Sequence, residues 1–230
     1  MSHLHIPDGI LPVWLWVSGL ALAAFLVLLA LWMVRGVDLK RKVPLLGMMS
    51  AMMLVSMNIE IAPYHLNLSV ITGIILGPWM AVIAALIVNV VMALVGHGGI
   101  TVAGINSSVL ALEAVMGYSF FRMMNRVVSP GLAAGISTVM ALFISTCIML
   151  GVVFLANVDF SSASIGEMHE VLQSPAIGTL TRTLGVRDGF NFRFFAAAAF
   201  SLGFFGWMIE AVITGIAVKF ISKVKPELIR

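Results

Sequence analysis

Charged side chains are scarce in this sequence: Lys and Arg number 13 and Asp and Glu 10 among 230 residues, 10% in all. Soluble domains carry about 25%, so a surface built mainly for water is excluded. Cysteine is nearly absent too. The single Cys147 lies in a continuous apolar run, which excludes an intrachain disulfide and points to a small buried hydrophobe. No GxxxxGK[ST] phosphate loop occurs, so ATP can act on this chain only through partner proteins. His169 and Glu170 open an HExxH-like string, but Gln173 stands where the second zinc ligand belongs. That gap argues against an intramembrane metalloenzyme, and no enzymatic activity is expected.

What is abundant is apolar sequence: 61% of residues are hydrophobic and the mean hydropathy is +1.10. Several runs exceed the roughly 18 residues that mark a spanning helix. Breaks at Gly, Pro and charge clusters divide the chain into expected spans at 11–35, 44–60, 66–77, 78–96, 104–125, 130–157 and 193–220. The expectation is an all-α polytopic protein of about seven transmembrane helices, one integral membrane domain over 1–230, in the cell (inner) membrane. The third span is short. It carries Gly73 and Gly77 in a GxxxG spacing and stops at Pro78, as for a helix that packs closely on a neighbour or crosses only partly. Small residues at Ala81 and Ala85, and at Gly131, Ala134 and Gly135, suit close helix interfaces. Sixteen methionines fall mostly inside apolar runs and read as packing. Residues 158–192 form a polar loop, with a short amphipathic helix expected around Ile165–Leu172. No Lys or Arg precedes the first apolar run, so that segment is expected to be a retained helix and not a cleaved signal.

The net charge of +3 is read as orientation and not as nucleic-acid affinity. Seven crossings put Arg35, Lys40, Arg41, Lys42, Arg122, Arg126, Lys219, Lys223, Lys225 and Arg230 on one side. Only Arg182, Arg187 and Arg193 remain on the other. Lys and Arg collect on the cytoplasmic side, so the amino terminus is expected outside. On this topology all five histidines (His3, His5, His65, His97 and His169) are extracytoplasmic.

Imidazole-rich sites without thiolate suit Ni, Cu, Zn and Co, and disfavour soft ions such as Cu(I). A histidine close to a free amine has a particular property. The amine, the intervening amide nitrogens and the imidazole can close around one ion in a plane, the geometry of Ni(II) or Cu(II). With Met1 retained, His3 is third and the set can be complete. Ser2 is small enough to allow removal of Met1, which would leave Ser2 as the terminus, three in-plane nitrogens, and a fourth to be supplied from elsewhere. His65 is a fitting donor. A lone terminal histidine is ordinarily solvated, but the turn-forming Ile6, Pro7, Asp8 and Gly9 can fold the tail back onto the protein.

Residues 5–12, His-Ile-Pro-Asp-Gly-Ile-Leu-Pro, resemble the amino terminus of the CbiM/NikM family, the substrate-capture (S) components of energy-coupling-factor nickel and cobalt transporters. That terminus typically reads Met-His-Ile-Pro-Asp-Gly or Met-His-Ile-Met-Glu-Gly. A second block is similar to the family's: Leu76, Gly77, Pro78 and Trp79, leading to Gly96, His97, Gly98, Gly99, Ile100 and Thr101 and then Gly104, Ile105 and Asn106. A weaker third match runs from Glu210 to Gly215. The resemblance implies seven helices and a Ni2+ or Co2+ substrate held by the extreme amino terminus and a loop histidine, with no resident cofactor. It also implies uptake powered by a transmembrane T component and a pair of cytoplasmic ATPases, with a small auxiliary membrane subunit as a further partner. This chain departs from the pattern in one respect: the motif-matched His5 stands behind three extra residues, whereas the family's histidine is usually second. His5 inherits the motif and His3 the distance from the amine. His3 is the favoured chelator, because chelation depends on that distance. His65 corresponds to the loop histidine. The expected metal set is Met1, Ser2, His3, His5 and His65, supported by Asp8, His97 and Asn106. His169 lies outside every matched block.

Three acids fall within or beside spans. Glu60 sits near an outer end, where solvation accounts for it. Glu113 and Glu210 lie deeper, where an ionisable group is costly and points to function; hydrogen-bonded structural acids are expected, with coupling to transport as the alternative. A stand-alone secondary cation carrier, the rival transporter reading, calls for ionisable groups at the midplane beside broken helices. The histidines gather instead at the outer surface.

Overall fold

The computed structural model describes residues 11–36, 39–58, 60–61, 64–96, 99–156 and 192–229. Among them are seven helices: α1 (Val13–Met33), α2 (Leu39–Asn58), α3 (Ser69–Leu76), α4 (Pro78–Leu94), α5 (Ala103–Met124), α6 (Pro130–Leu155) and α7 (Phe192–Val224). Each expected span has its helix, and the fold is all-α. The departure from helix is a two-residue antiparallel ladder between α2 and α3, β1 (Glu60–Ile61) with β2 (Tyr64–His65), in which Glu60 faces His65. A single 3-10 turn, Pro226–Leu228, follows α7. The amphipathic helix expected at Ile165–Leu172, and the polar loop up to residue 191, lie outside the described residues, whereas Phe192 already belongs to α7.

Helices α1, α6 and the Ala199–Val224 part of α7 are long and apolar enough to cross a membrane. Their outward faces carry large apolar side chains, including Trp14, Phe25, Trp32, Phe205 and Phe220. Such a surface is the natural boundary with lipid. Cys147 belongs to this outer face: it is exposed, which corrects its reading as a buried hydrophobe, because an apolar run on a lipid-facing helix need not be buried within the protein.

Helix α5 is the hub, packed against α1, α3, α4 and α6, while α7 lies mainly on α6. Small residues let backbones meet. A Cβ on Gly104 would stand 2.6 Å from Leu20 Cα, so α1 and α5 cross in direct backbone contact there. Gly131 of α6 and Gly215 of α7 face each other, each leaving a Cβ position 2.9 Å from the other's carbonyl oxygen. Ala81, Ala85 and Ala134 are fully buried in the same manner. The expected methionine packing holds for Met49, Met53 and Met57, one turn apart on α2 and all buried together with Met80 and Met92 of α4.

Two details refine the sequence expectation. Pro44 does not open α2; the helix begins at Leu39 and carries the proline inside, at the cost of one backbone hydrogen bond. The third span, expected to be short, has eight residues as helix, about 12 Å at 1.5 Å per residue, well under the roughly 30 Å of a bilayer's hydrocarbon core. Its GxxxG pair divides the labour. Gly73 packs against the carbonyl of Ala114 on α5, whereas Gly77 takes φ +82° and reverses the chain into Pro78 at the start of α4.

Candidate metal centre and its supporting acids

Of the expected metal set, His65 is described; Met1, Ser2, His3 and His5 lie outside the described residues, as do Asp8 and His97 of the supporting set. Among the described residues no group of three or more His, Cys, Asp and Glu is placed to hold a metal. The site must therefore be built from where His65, Asn106 and the start of α1 stand.

His65 ends β2 and is half-buried. Its Nδ1 lies 3.0 Å from the main-chain oxygen of Met57, at the end of α2. A carbonyl can only accept, so Nδ1 carries the hydrogen and donates it. The ring lone pair then resides on Nε2. This is the arrangement by which metal-binding imidazoles are commonly oriented: the second ring nitrogen donates to a carboxylate or carbonyl, fixing tautomer and direction.

Asn106, the fourth residue of α5, is 2% exposed, and its Oδ1 has no hydrogen-bond partner among the described residues. A buried amide oxygen without a donor is costly. Leu11, just before α1, and Leu15 within it share one buried cluster with Val102 and Ile105 around the start of α5 and Leu150 and Val153 of α6. The chain thus enters α1 beside the first turn of α5.

Beneath His65 the chain descends without helix through Leu66, Asn67 and Leu68 before α3 begins. Backbone of this kind inside a bundle must find partners, and two acids supply them. Glu113 of α5 and Glu210 of α7 are both fully buried. Glu113 accepts from Asn67 Nδ2 at 2.7 Å, from Ser69 Oγ, and from Ser145 Oγ of α6 at 2.9 Å. Glu210 accepts the backbone N–H of Asn67 at 3.4 Å and that of Leu68 at 3.2 Å. Ser69 N–H donates to Asn67 Oδ1 at 2.9 Å. The backbone amides of Asn67, Leu68 and Ser69, leading into α3, are in this way taken up by side chains. The positive end of that helix faces carboxylate oxygen, a favourable sense. Leu68 is held at φ +54°, a left-handed conformation rare for a bulky residue.

Both acids lie near the middle of the bundle. Glu113 is nine residues from Arg122, and Glu210 nine from Lys219, about 13 Å along either helix. Sequence reading found the two acids and expected hydrogen-bonded ones; it did not find Asn67, Ser69 or Ser145. Their joint role depends on three helices and a loop converging, and no local pattern announces it.

Comparison with known proteins agrees with this architecture. Two crystal structures share the fold. One is of a truncated transition metal transporter, with TM-score 0.76 and 21% identity over 96% of this chain and 99% of that one. The other is of a transition metal transporter, with TM-score 0.75 and 23% identity over 96% of this chain and 93% of that one. No curated protein matches the sequence. The profile of the CbiM family, described as the cobalt uptake substrate-specific transmembrane region, matches residues 5–228, and by that match over nearly its whole length the chain belongs to the CbiM family.

Proposed function

We propose that this chain captures Ni2+ or Co2+ outside the cell and is the substrate-binding membrane subunit of an ATP-driven energy-coupling-factor importer. The observation that carries the reading is the His65 Nδ1–H donated to the Met57 carbonyl at 3.0 Å, which readies Nε2 as a metal ligand. The amine and first amide nitrogens of Met1 or Ser2, together with His3, complete the donor set. His5 adds a further imidazole, and Asp8, His97 and Asn106 support the ligands through hydrogen bonds. The buried Asn106 Oδ1 suits an N–H of the incoming tail. Nickel and cobalt both accept nitrogen donors of this kind.

Seven crossings, with the amino terminus and all five histidines outside, follow the bias of Lys and Arg. The chain has no phosphate loop, so ATP-driven uptake calls for partners: a T component and a pair of cytoplasmic ATPases, with a small auxiliary membrane subunit as a further one. Nucleic acid has no part in this reading. A stand-alone secondary carrier is the second reading. One observation favours it: Glu113 and Glu210 lie in mid-bundle beside the broken entry to α3, the setting expected of coupling sites in such carriers.

Metal uptake by cells producing the chain with and without the T component and ATPases separates the two. Uptake that requires the partners supports the importer subunit. Equal uptake without them, sensitive to the proton gradient, supports the carrier.

A further inference from the structure

We infer that Glu113 and Glu210 are positioning residues for the metal, acting through Asn67 on the loop that presents His65. The inference rests on the reading of His65 as a ligand and adds what holds that ligand in place.

His65 is tied through its ring, Nδ1 donating to the Met57 carbonyl of α2, and through the β1–β2 ladder, where it pairs with Glu60. Two residues further on, Asn67 is gripped from the far side of the bundle. Its side chain donates to Glu113 of α5 and its backbone N–H to Glu210 of α7, while its Oδ1 accepts from Ser69 N–H. Every polar group of Asn67 named here is used, and the residue is fully buried. The loop therefore has one backbone course from β2 to α3, set by carboxylates on two different helices. The conformation of Leu68 shows how firmly it is set. A left-handed non-glycine residue persists only where the surroundings over-determine it. Here Glu210 takes the Leu68 N–H, and the Leu68 carbonyl accepts from Thr72 N at 3.2 Å and Thr72 Oγ1 at 2.9 Å.

Two buried acids are an expensive way to cap one short helix, since burying ionisable groups costs free energy unless each is well bonded. Asn67 already caps it, its Oδ1 accepting the Ser69 N–H, and that bond needs neither acid. What the acids add is reach: they bind α3's entry to α5, α6 and α7 at once, and so fix His65 relative to α5, whose first turn packs against Gly19 and Leu20 of α1. A ligand pair split between a tail and a loop needs this. Misplacement of supporting groups around a metal ligand commonly lowers affinity 10- to 100-fold.

The test is a double-mutant cycle on the purified full-length protein, reading Ni(II) affinity by competition with a chelator of known strength. Glu210→Gln replaces one acceptor oxygen with an NH2 facing backbone N–H groups. Asn67→Ala leaves the backbone bond to Glu210 and removes the one to Glu113, so it carries the same test if the first variant fails to fold. Each is made alone and with His65→Ala. The expected result is a loss of about tenfold in the presence of His65 and less than twofold in its absence, with a shifted Ni(II) absorption band only when His65 is present. Equal losses in both backgrounds, or unchanged affinity in the first, overturn the inference while leaving His65 a ligand. If His65→Ala alone changes nothing, the reading of His65 as a ligand falls and the inference falls with it.

Discussion

The Nδ1 of His65 donates to the main-chain oxygen of Met57 at 3.0 Å, joining the loop histidine to the end of α2 by a bond that no side-chain substitution at Met57 can remove directly. His65→Ala should therefore lower Ni(II) affinity by more than about tenfold, equivalent to about 1.4 kcal/mol, while the thermal stability of the metal-free protein changes little. Competition titration beside a melting curve checks this. Unchanged affinity would mean that the amino-terminal tail forms a complete chelate by itself.

Met57→Leu, and likewise Met49→Leu and Met53→Leu, should leave metal affinity unchanged. These side chains fill the α2–α4 contact, and Leu for Met is close to volume-conserving, costing under about 1.5 kcal/mol. A tenfold loss in any of the three would bring a thioether into the metal path and contradict their assignment to the core.

Blocking the amine should abolish tight binding without unfolding the protein. The chelate depends on a short covalent distance between the terminal nitrogen and His3, so even a few added residues before Met1 should act as strongly as acetylation. Mass spectrometry of the terminus, combined with Ni(II) titration of tagged and cleaved protein, checks the expectation. Normal binding by an uncleaved tagged protein would rule out the amine as a ligand.

Affinity should fall as the solution is made more acidic. Imidazole and amine bind metal only when deprotonated, so protons compete at low pH and are released on binding. The direction is thus tighter binding as pH rises through the range in which the donors lose their protons. With an amine and at least one imidazole engaged, calorimetry in buffers of different ionisation enthalpy should show release of at least about one proton per metal. Binding that ignores pH would point to oxygen ligands.

Gly73→Ala and Gly77→Ala should both destabilise, for different reasons. At Gly73 a methyl would collide with the carbonyl of Ala114, a backbone atom that cannot yield, and overpacking of this type costs about 1–3 kcal/mol or more. At Gly77 there is open space, but φ of +82° with ψ of 166° is a region that other residues enter at about 1–3 kcal/mol. D-alanine at position 77, introduced by semisynthesis, should restore the loss there, and at 73 it should not. Melting temperatures of the four proteins decide the matter.

Much of the fold was legible because apolar runs, glycines and prolines are local signals. Residue 78 starts a helix because proline at the first position sacrifices no hydrogen bond, and Gly131 with Gly135 marks a close interface because a Cβ would crowd the backbone of α7 at both positions. The scarcity of charge and the bias of Lys and Arg likewise follow from the solvent the chain meets. Histidine and amine chemistry can be reasoned from order along the chain, since a chelate ring is a short-range object.

What order along the chain could not supply is convergence. That α3 is a half-length helix with a descending, non-helical approach, that Asn67 joins Glu113 of α5 to Glu210 of α7, and that Cys147 looks outward all depend on how helices rotate against one another. Sequence determined which groups are costly to bury; only the tertiary structure decided which partners repay the cost, because those partners lie 46 and 143 residues away in the chain.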